Sequence, residues 1–174
     1  MAGDVFIWID TGGPKPDVHG ETTDDDMKKN NAFEVLSWSF GAFNAQTIGS
    51  ATHGAGAGKG EYTELVINKN VDKASTPILQ HTLAGTHFKQ LNMLVRRSGG
   101  TDQKQVNWME IVMQKVYVSN YSVSGSGTDI SEGVSFASGA VEIKYYPQKA
   151  DGSADKPIPA QWSKITNKPE LKVG

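Results

Sequence analysis

The sequence predicts a mainly β chain, folded as a closed barrel or a sandwich and punctuated by one short α-helix. Three observations carry this. Apolar residues alternate with a period of two over most of the chain, which puts them on one face of extended strands. The alternating segments are separated by Gly, Ser and Asp rich turns. A single stretch, STPILQHTLAGTHFKQ at residues 75–90, breaks the period and carries helix start and stop signals instead. A barrel is favoured over a sandwich because closure removes the exposed edges on which strands aggregate.

The elements follow in chain order. In the first strand Val5, Ile7 and Ile9 share one face, with Phe6 and Trp8 opposite. In FEVLSWSF, residues 33–40, the predicted inward face is Leu36, Trp38 and Phe40; in EYTELVIN, residues 61–68, it is Leu65 and Ile67. Thr76 is placed as the helix N-cap, Pro77 at the first helical position and Gly85 as the left-handed stop, giving a helix over about residues 77–84. Ile78, Leu79, Thr82 and Leu83 then form its apolar stripe, and a helix this short needs packing to hold it. Leu91, Met93 and Val95 alternate with Asn92 and Leu94, and after the turn-rich RRSGGTDQK the segment VNWMEIVM returns, so the two form a hairpin. KVYVSNYSVS and GVSFASGAVEIKYY complete about seven strands. The Pro, Lys and Asp rich tail from about residue 150, with Trp162 as its aromatic anchor, reads as a partly ordered extension of a single domain spanning 1–174.

Composition narrows the function. There is no cysteine, which removes disulfides, thiolate metal sites and a cysteine nucleophile. A net charge of −2 and a pI near 6.1 lack the clustered basic footprint of nucleic-acid binding, so no nucleic-acid partner is expected. MAGDVFIWIDTGG has no basic leader and its apolar run stops at Asp10, and no other run approaches the roughly 18 residues of a spanning helix. Neither a cleaved signal nor membrane insertion is expected.

No catalytic constellation assembles in the sequence. His81 and His87 are six residues apart, roughly 240° around a helix, and Gly85 ends that helix between them, so they cannot chelate as a helical pair; His81 is expected to be an ordinary surface or interface histidine. GSATHGAGAGKGEY fails the phosphate-loop pattern, with His53 at the first glycine position and Gly60 where Ser or Thr should be. It reads as a long loop between two strands, suited to docking. TTDDDMKK lacks the spacing of a calcium loop and reads as a solvated turn. Around Ser126 the run SGSGT departs from a nucleophile elbow, and Glu110 and Glu142, on predicted strands, are read as ordinary strand carboxylates. No metal, cofactor or enzymatic activity is expected.

Several segments, in order, resemble the haemolysin-coregulated protein (Hcp) family, the tube subunit of bacterial type VI secretion systems. They are DVFIWID, then HGETTD with Gly20, Glu21 and Thr22 at the family's Gly-Glu-Ser type turn, FEVLSWSFG, and GAGAGKGEYTEL. NKNVDKASTPILQHTLAGTHFKQLNMLVRRSGG, residues 68–100, is the most specific run, followed by YYPQKADG and the late Trp162. TGGPKPDV looks longer than usual for the family, and PIPAQWSKITNKPEL follows its closing pattern only loosely. The resemblance implies a β-barrel formed by two antiparallel sheets with one short helix and a long extended loop. It also implies a homohexameric ring that stacks into a hollow tube related to phage tail tubes. Such a tube carries or chaperones effectors in its lumen and meets the spike and sheath proteins. It is held in the bacterial cytoplasm and then expelled to the exterior or into target cells without a signal peptide.

A ring needs one flank of a subunit to meet a different flank of the next. Phe6 and Trp8, opposite the inward face of the first strand, and Trp108, beside Met109 and Ile111, are the expected subunit interface, because a monomer gains nothing by exposing large aromatics together. Gly49, His53, Gly54, Gly56, Gly58 and Lys59 are the expected ring-stacking loop. The alternatives are a phage-type tail tube subunit and a monomeric barrel that binds a small ligand or carbohydrate through Trp and Tyr.

Overall fold

The computed structural model describes residues 4–45, 59–99 and 104–174. Among them the chain forms β1 (Asp4–Asp10), β2 (Phe33–Glu34), β3 (Ser37–Ser39), β4 (Ala42–Asn44), β5 (Gly60–Tyr62), β6 (Leu65–Asn70), α1 (Ser75–Ala84), β7 (His87–Gly99), β8 (Lys104–Ser126), β9 (Asp129–Tyr145) and β10 (Ile158–Ser163). Two antiparallel sheets result: an eight-stranded one in the order β2-β1-β7-β8-β9-β6-β3, with β10 also on β9, and the pair β4-β5.

The large sheet curls until its ends meet on one short stretch of chain. β2 pairs with β1 and β3 with β6, and only Val35 and Leu36 separate them. The Val35 N–H donates to the Val5 carbonyl at 2.9 Å and the next amide, Leu36, donates to the Asn68 carbonyl at 2.8 Å, so consecutive amides bridge the two edges. This corner corrects the expectation for FEVLSWSF. Phe33 and Val35 face the core before the corner and Trp38 and Phe40 after it, while Leu36 is turned out and 64% exposed, because a bend that serves both edges shifts the alternation by one residue.

The inward faces predicted for β1, β6 and β7 hold: Ile7, Ile9, Leu65, Ile67, Leu91, Met93 and Val95 are all core. VNWMEIVM and KVYVSNYSVS are one continuous strand, β8. Three neighbouring strands reverse their inward face at one level: Phe88 then Leu91 in β7, Met113 then Val116 in β8, and Phe136 then Val141 in β9. Lys115 sits at that level with φ 51, a left-handed conformation that costs a side-chain-bearing residue about 1–2 kcal/mol.

α1 starts two residues before the prediction. Asp72 Oδ1 accepts from the Ala74 N–H at 2.9 Å and Ser75 Oγ accepts from the Asp72 N–H at 2.9 Å, so these two residues brace the turn leading into the helix; the N-cap is Ala74, without a side-chain cap, and not Thr76. Pro77 falls inside the first turn, where its missing N–H costs no helical bond. Gly85 ends the helix as expected, at φ 66. The buried face is Ser75, Ile78 and His81, spaced three apart; Leu79 and Leu83, predicted to be covered, are exposed, Leu83 by 76%. In the tail, β10 pairs with β9 from Ile158↔Tyr145 to Ser163↔Ala140, and Trp162 packs on the core.

Outside the sheet, a second cluster of Phe6, Met27, Ala32 and Leu94, with Trp8 beside it, forms where residues 18–32 fold back over β1 and β7.

Candidate functional site

The predicted site residues separate under the structure. Phe6 does not face outward: it is 3% exposed, covered by Met27 and Ala32 of its own chain, with the Arg96 guanidinium 4.7 Å above its ring. The sequence expectation missed this because it treated the far face of β1 as bare, whereas residues 24–32 close over it. Trp8 is partly buried beside that cluster. Trp108 remains 41% exposed, with Arg97 stacked 5.1 Å from its ring. Trp8 pairs with Asn92 and Trp108 lies against Arg97, five residues along β7 or about 15 Å, so the two tryptophans are not brought together. Gly49, His53, Gly54, Gly56 and Gly58 lie outside the described residues; Lys59 is exposed just before β5, and the flanking strands pair through Asn44↔Gly60.

The histidines part as well. His87 is exposed on β7, its ring 5.3 Å from Tyr117. His81, expected at the surface or an interface, is instead buried within its own chain and 1% exposed: Nδ1 lies 2.6 Å from Thr86 Oγ1, Nε2 2.7 Å from the Pro16 carbonyl, and its ring meets Phe88 edge-on at 4.9 Å. It stands one helical turn after Ile78, on the buried face. Both nitrogens are satisfied, so it ties the loop at Pro16 to the helix end. No group of three or more His, Cys, Asp or Glu able to hold a metal occurs among the described residues.

Three polar clusters were not foreseen. First, TTDDDMKK is no idle turn. Asp24 accepts from the Asp26 and Met27 amides at 3.1 and 3.0 Å and from Arg96 of β7, which is 4% exposed. The Arg96 guanidinium beside Asp24 holds that carboxyl below its ordinary range, with the Met27 amide adding to the effect. A lowered folded pKa means that the stabilisation is fully present above the ordinary value near 4 and is lost as pH falls through the folded value. Acid unfolding of Asp24→Asn is therefore expected to show a flatter stability-versus-pH curve below about pH 4 than the parent, and unchanged curves would contradict the Asp24–Arg96 coupling.

Second, Glu110 and Glu142 do converge, but on a lysine. Lys144 Nζ reaches Glu110 Oε2 at 3.3 Å and Glu142 Oε1 at 3.2 Å; the Tyr146 hydroxyl donates to Glu110 at 2.9 Å and Gln161 donates to Glu142. Burial works against the Lys144 charge, yet Glu142 and Glu110 outweigh it and hold its pKa up. A shared lysine locks both carboxylates as structural ions on the outward face of β8, β9 and β10.

Third, Lys69, wholly buried, donates to Glu132 Oε1 at 2.7 Å, Asp72 Oδ1 at 2.8 Å and the Asn70 carbonyl at 2.8 Å. The Ser75 hydroxyl donates to Glu132 Oε1 at 3.0 Å and the Tyr121 hydroxyl donates to Glu132 Oε2 at 2.7 Å; burial together with Glu132 pushes the Tyr121 hydroxyl up to about 12. The signal was present: Lys69 follows Leu65 and Ile67, and Glu132 precedes Val134 and Phe136, on the inward parity of their strands.

A cleft of about 850 Å³ opens between the β4-β5 pair and β9-β10, with Phe40, Phe43, Tyr62, Val141 and Trp162 in its wall. None of these features assembles a nucleophile, base and oxyanion donor. The geometry is that of a barrel with outward aromatics and internal ionic ties.

Residues 6–145 match the family model described as "Type VI secretion system effector, Hcp". The chain belongs to the Hcp family. It is 32% identical over 168 residues to Protein hcp1 of Pseudomonas aeruginosa, covering 94% of this chain and 96% of that one. A solved structure titled "Structure of a type six secretion system protein" superposes with a TM-score of 0.82 at 32% identity, covering 96% of this chain and 99% of its own. Hcp1 from Salmonella typhimurium shares the fold, with a TM-score of 0.74 at 24% identity over 97% and 99% of the two chains. Hcp proteins are structural tube components of the type VI secretion system rather than enzymes, and this fold, mainly β with one helix, is theirs.

Proposed function

We propose that this Hcp chain closes into a homohexameric ring, that rings stack into the inner tube, and that the tube carries effectors in its lumen with the spike and sheath proteins as neighbours. The observation that carries this reading is the family match across 6–145 combined with large apolar side chains left uncovered on two different elements: Trp108 on β8, and Leu79 and Leu83 on α1. A heterologous ring needs two such unlike patches, and a monomer has no use for them. Trp8 and Trp108 are assigned to the subunit interface, and the 49–60 loop, with Gly49, His53, Gly54, Gly56, Gly58 and Lys59, to ring stacking. The protein waits in the bacterial cytoplasm and leaves with the expelled tube.

Electron micrographs of the purified protein are expected to show rings of uniform diameter, and sedimentation as a single monomer at high micromolar concentration would overturn the reading. Trp108→Glu is expected to weaken each subunit contact by about 2 kcal/mol, close to thirtyfold, and so to dissociate rings without unfolding the barrel. Deleting 49–60 is expected to leave rings intact and abolish their stacking; stacked rings of the deletion variant would refute the loop's role.

A further inference from the structure

We propose that the cleft bounded by residues 11–14, the end of α1 and the middle of β7 and β8 binds an oxyanion between Lys89 and Lys115. The cleft encloses about 740 Å³, its wall includes Thr11, Gly12, Thr86, His87, Lys89 and Lys115, and no carboxylate side chain lines it. The inference is independent of ring formation.

The sheet register brings the two lysines together. Phe88 pairs with Val116 and Gln90 with Gln114, so Lys89 and Lys115 occupy the facing positions between these two pairs, which the ladder itself skips. The reversal of the inward face at this level turns both away from the core. Like charges placed opposite each other across a ladder destabilise it. Lys89 has one acidic neighbour, Asp10 at 3.6 Å; Lys115 has no acidic partner among the described residues.

Two further details show the arrangement being held against local preference. Lys115 adopts φ 51 at a position that both ladders of its strand skip, a conformation a glycine takes more cheaply. The turn at residues 11–14 presses onto the Lys89 stem so closely that a Cβ on Gly12, itself at φ 70, would lie 2.7 Å from the Lys89 Cβ. Two cations thus line one cleft, Lys115 on unfavourable backbone, with Asp10 beside Lys89 as their one carboxylate partner among the described residues. An anion between them would turn the repulsion into two charge-assisted hydrogen bonds. His87 on the same rim adds a third nitrogen donor. The chemistry is that of a phosphate or carboxylate group, offered either as a free ion or by an acidic peptide.

The test uses the full chain with two probes at constant ionic strength. The melting temperature is followed against sodium phosphate, with sodium chloride as control, and a labelled hexaglutamate peptide is titrated by fluorescence anisotropy. A saturable response to one probe identifies the source, and Lys115→Gly is expected to weaken it by about tenfold, the loss of one charged hydrogen bond. Because glycine accepts the left-handed backbone, Lys115→Gly without anion is expected to melt at or above the parent temperature, which a purely structural lysine would not allow. If that variant fails to fold, Lys115→Gln and Lys89→Gln carry the same expectation for binding. Lys73→Gln, an exposed lysine elsewhere, is expected to bind as the parent does. No saturable response to either probe, or parent-like binding by the Lys115 variants, overturns the proposal.

Discussion

Gly20→Ala is expected to destabilise the barrel by about 3 kcal/mol or more, although Gly20 is not in a left-handed conformation. The reason is contact. A Cβ at this position would lie 2.2 Å from the Ala32 carbonyl oxygen, 2.5 Å from its carbon and 2.6 Å from the Phe33 nitrogen. All three are backbone atoms, with no flexible side chain to give way. Ala32 and Phe33 are fully buried, and the Gly20 N–H itself donates to the Asn31 carbonyl at 2.8 Å. The added methyl must therefore lift residues 20–24 away from 31–33, which strips the cover from Phe6 and slackens the Asp24–Arg96 contact. Urea unfolding of parent and variant measures the difference, and a loss below about 1 kcal/mol would show that the close approach is not needed.

The second large effect lies in the buried ion pair. Lys69→Met is expected to cost about 3–5 kcal/mol, because it leaves the Glu132 carboxylate buried without its cation; Glu132→Leu is expected to cost a similar amount by stranding Lys69 and the Tyr121 hydroxyl. The double variant Lys69→Met/Glu132→Leu is expected to lose less than the sum, with a coupling of about 2 kcal/mol, since removing both charges removes the desolvation penalty as well. Strictly additive losses in the double-mutant cycle would mean that the two ions do not act as a pair. Against a total stability of about 5–15 kcal/mol for a domain, either single change is severe.

Both predictions rest on contacts between segments far apart in the chain, and that separates what the sequence discloses from what it does not. The inward faces of β1, β6 and β7 are readable because the side-chain period of two follows from backbone geometry alone. Gly85 as a helix stop is readable for the same local reason, since a left-handed residue there favours glycine. Leu36 is misassigned because its alternation is interrupted by a corner, and the corner exists only once β1 and β6 are both present to receive consecutive amides. Leu79 and Leu83 are misassigned because hydrophobicity does not say which face of a short helix meets the barrel. The wall beside it selects Ser75, Ile78 and His81 through Glu132, Phe88 and the Pro16 carbonyl.

The candidate site divides similarly. Trp108 is legible as an outward aromatic because its strand neighbours set its parity; Phe6 looks identical by that criterion, yet it is covered by residues 24–32 of its own chain. Local sequence thus settled the β class, the inward faces of β1, β6 and β7, the helix stop and, through ordered segments, the family. The closure at Val35 and Leu36, the burial of Lys69 against Glu132 some 63 residues away, the seat of Arg96 on Asp24 some 72 residues away, and the meeting of Lys89 with Lys115 all came from folding. Period and propensity act over a few residues and are written in the chain. Register and partner choice are free-energy differences among long-range pairings, and they exist only when the whole barrel closes.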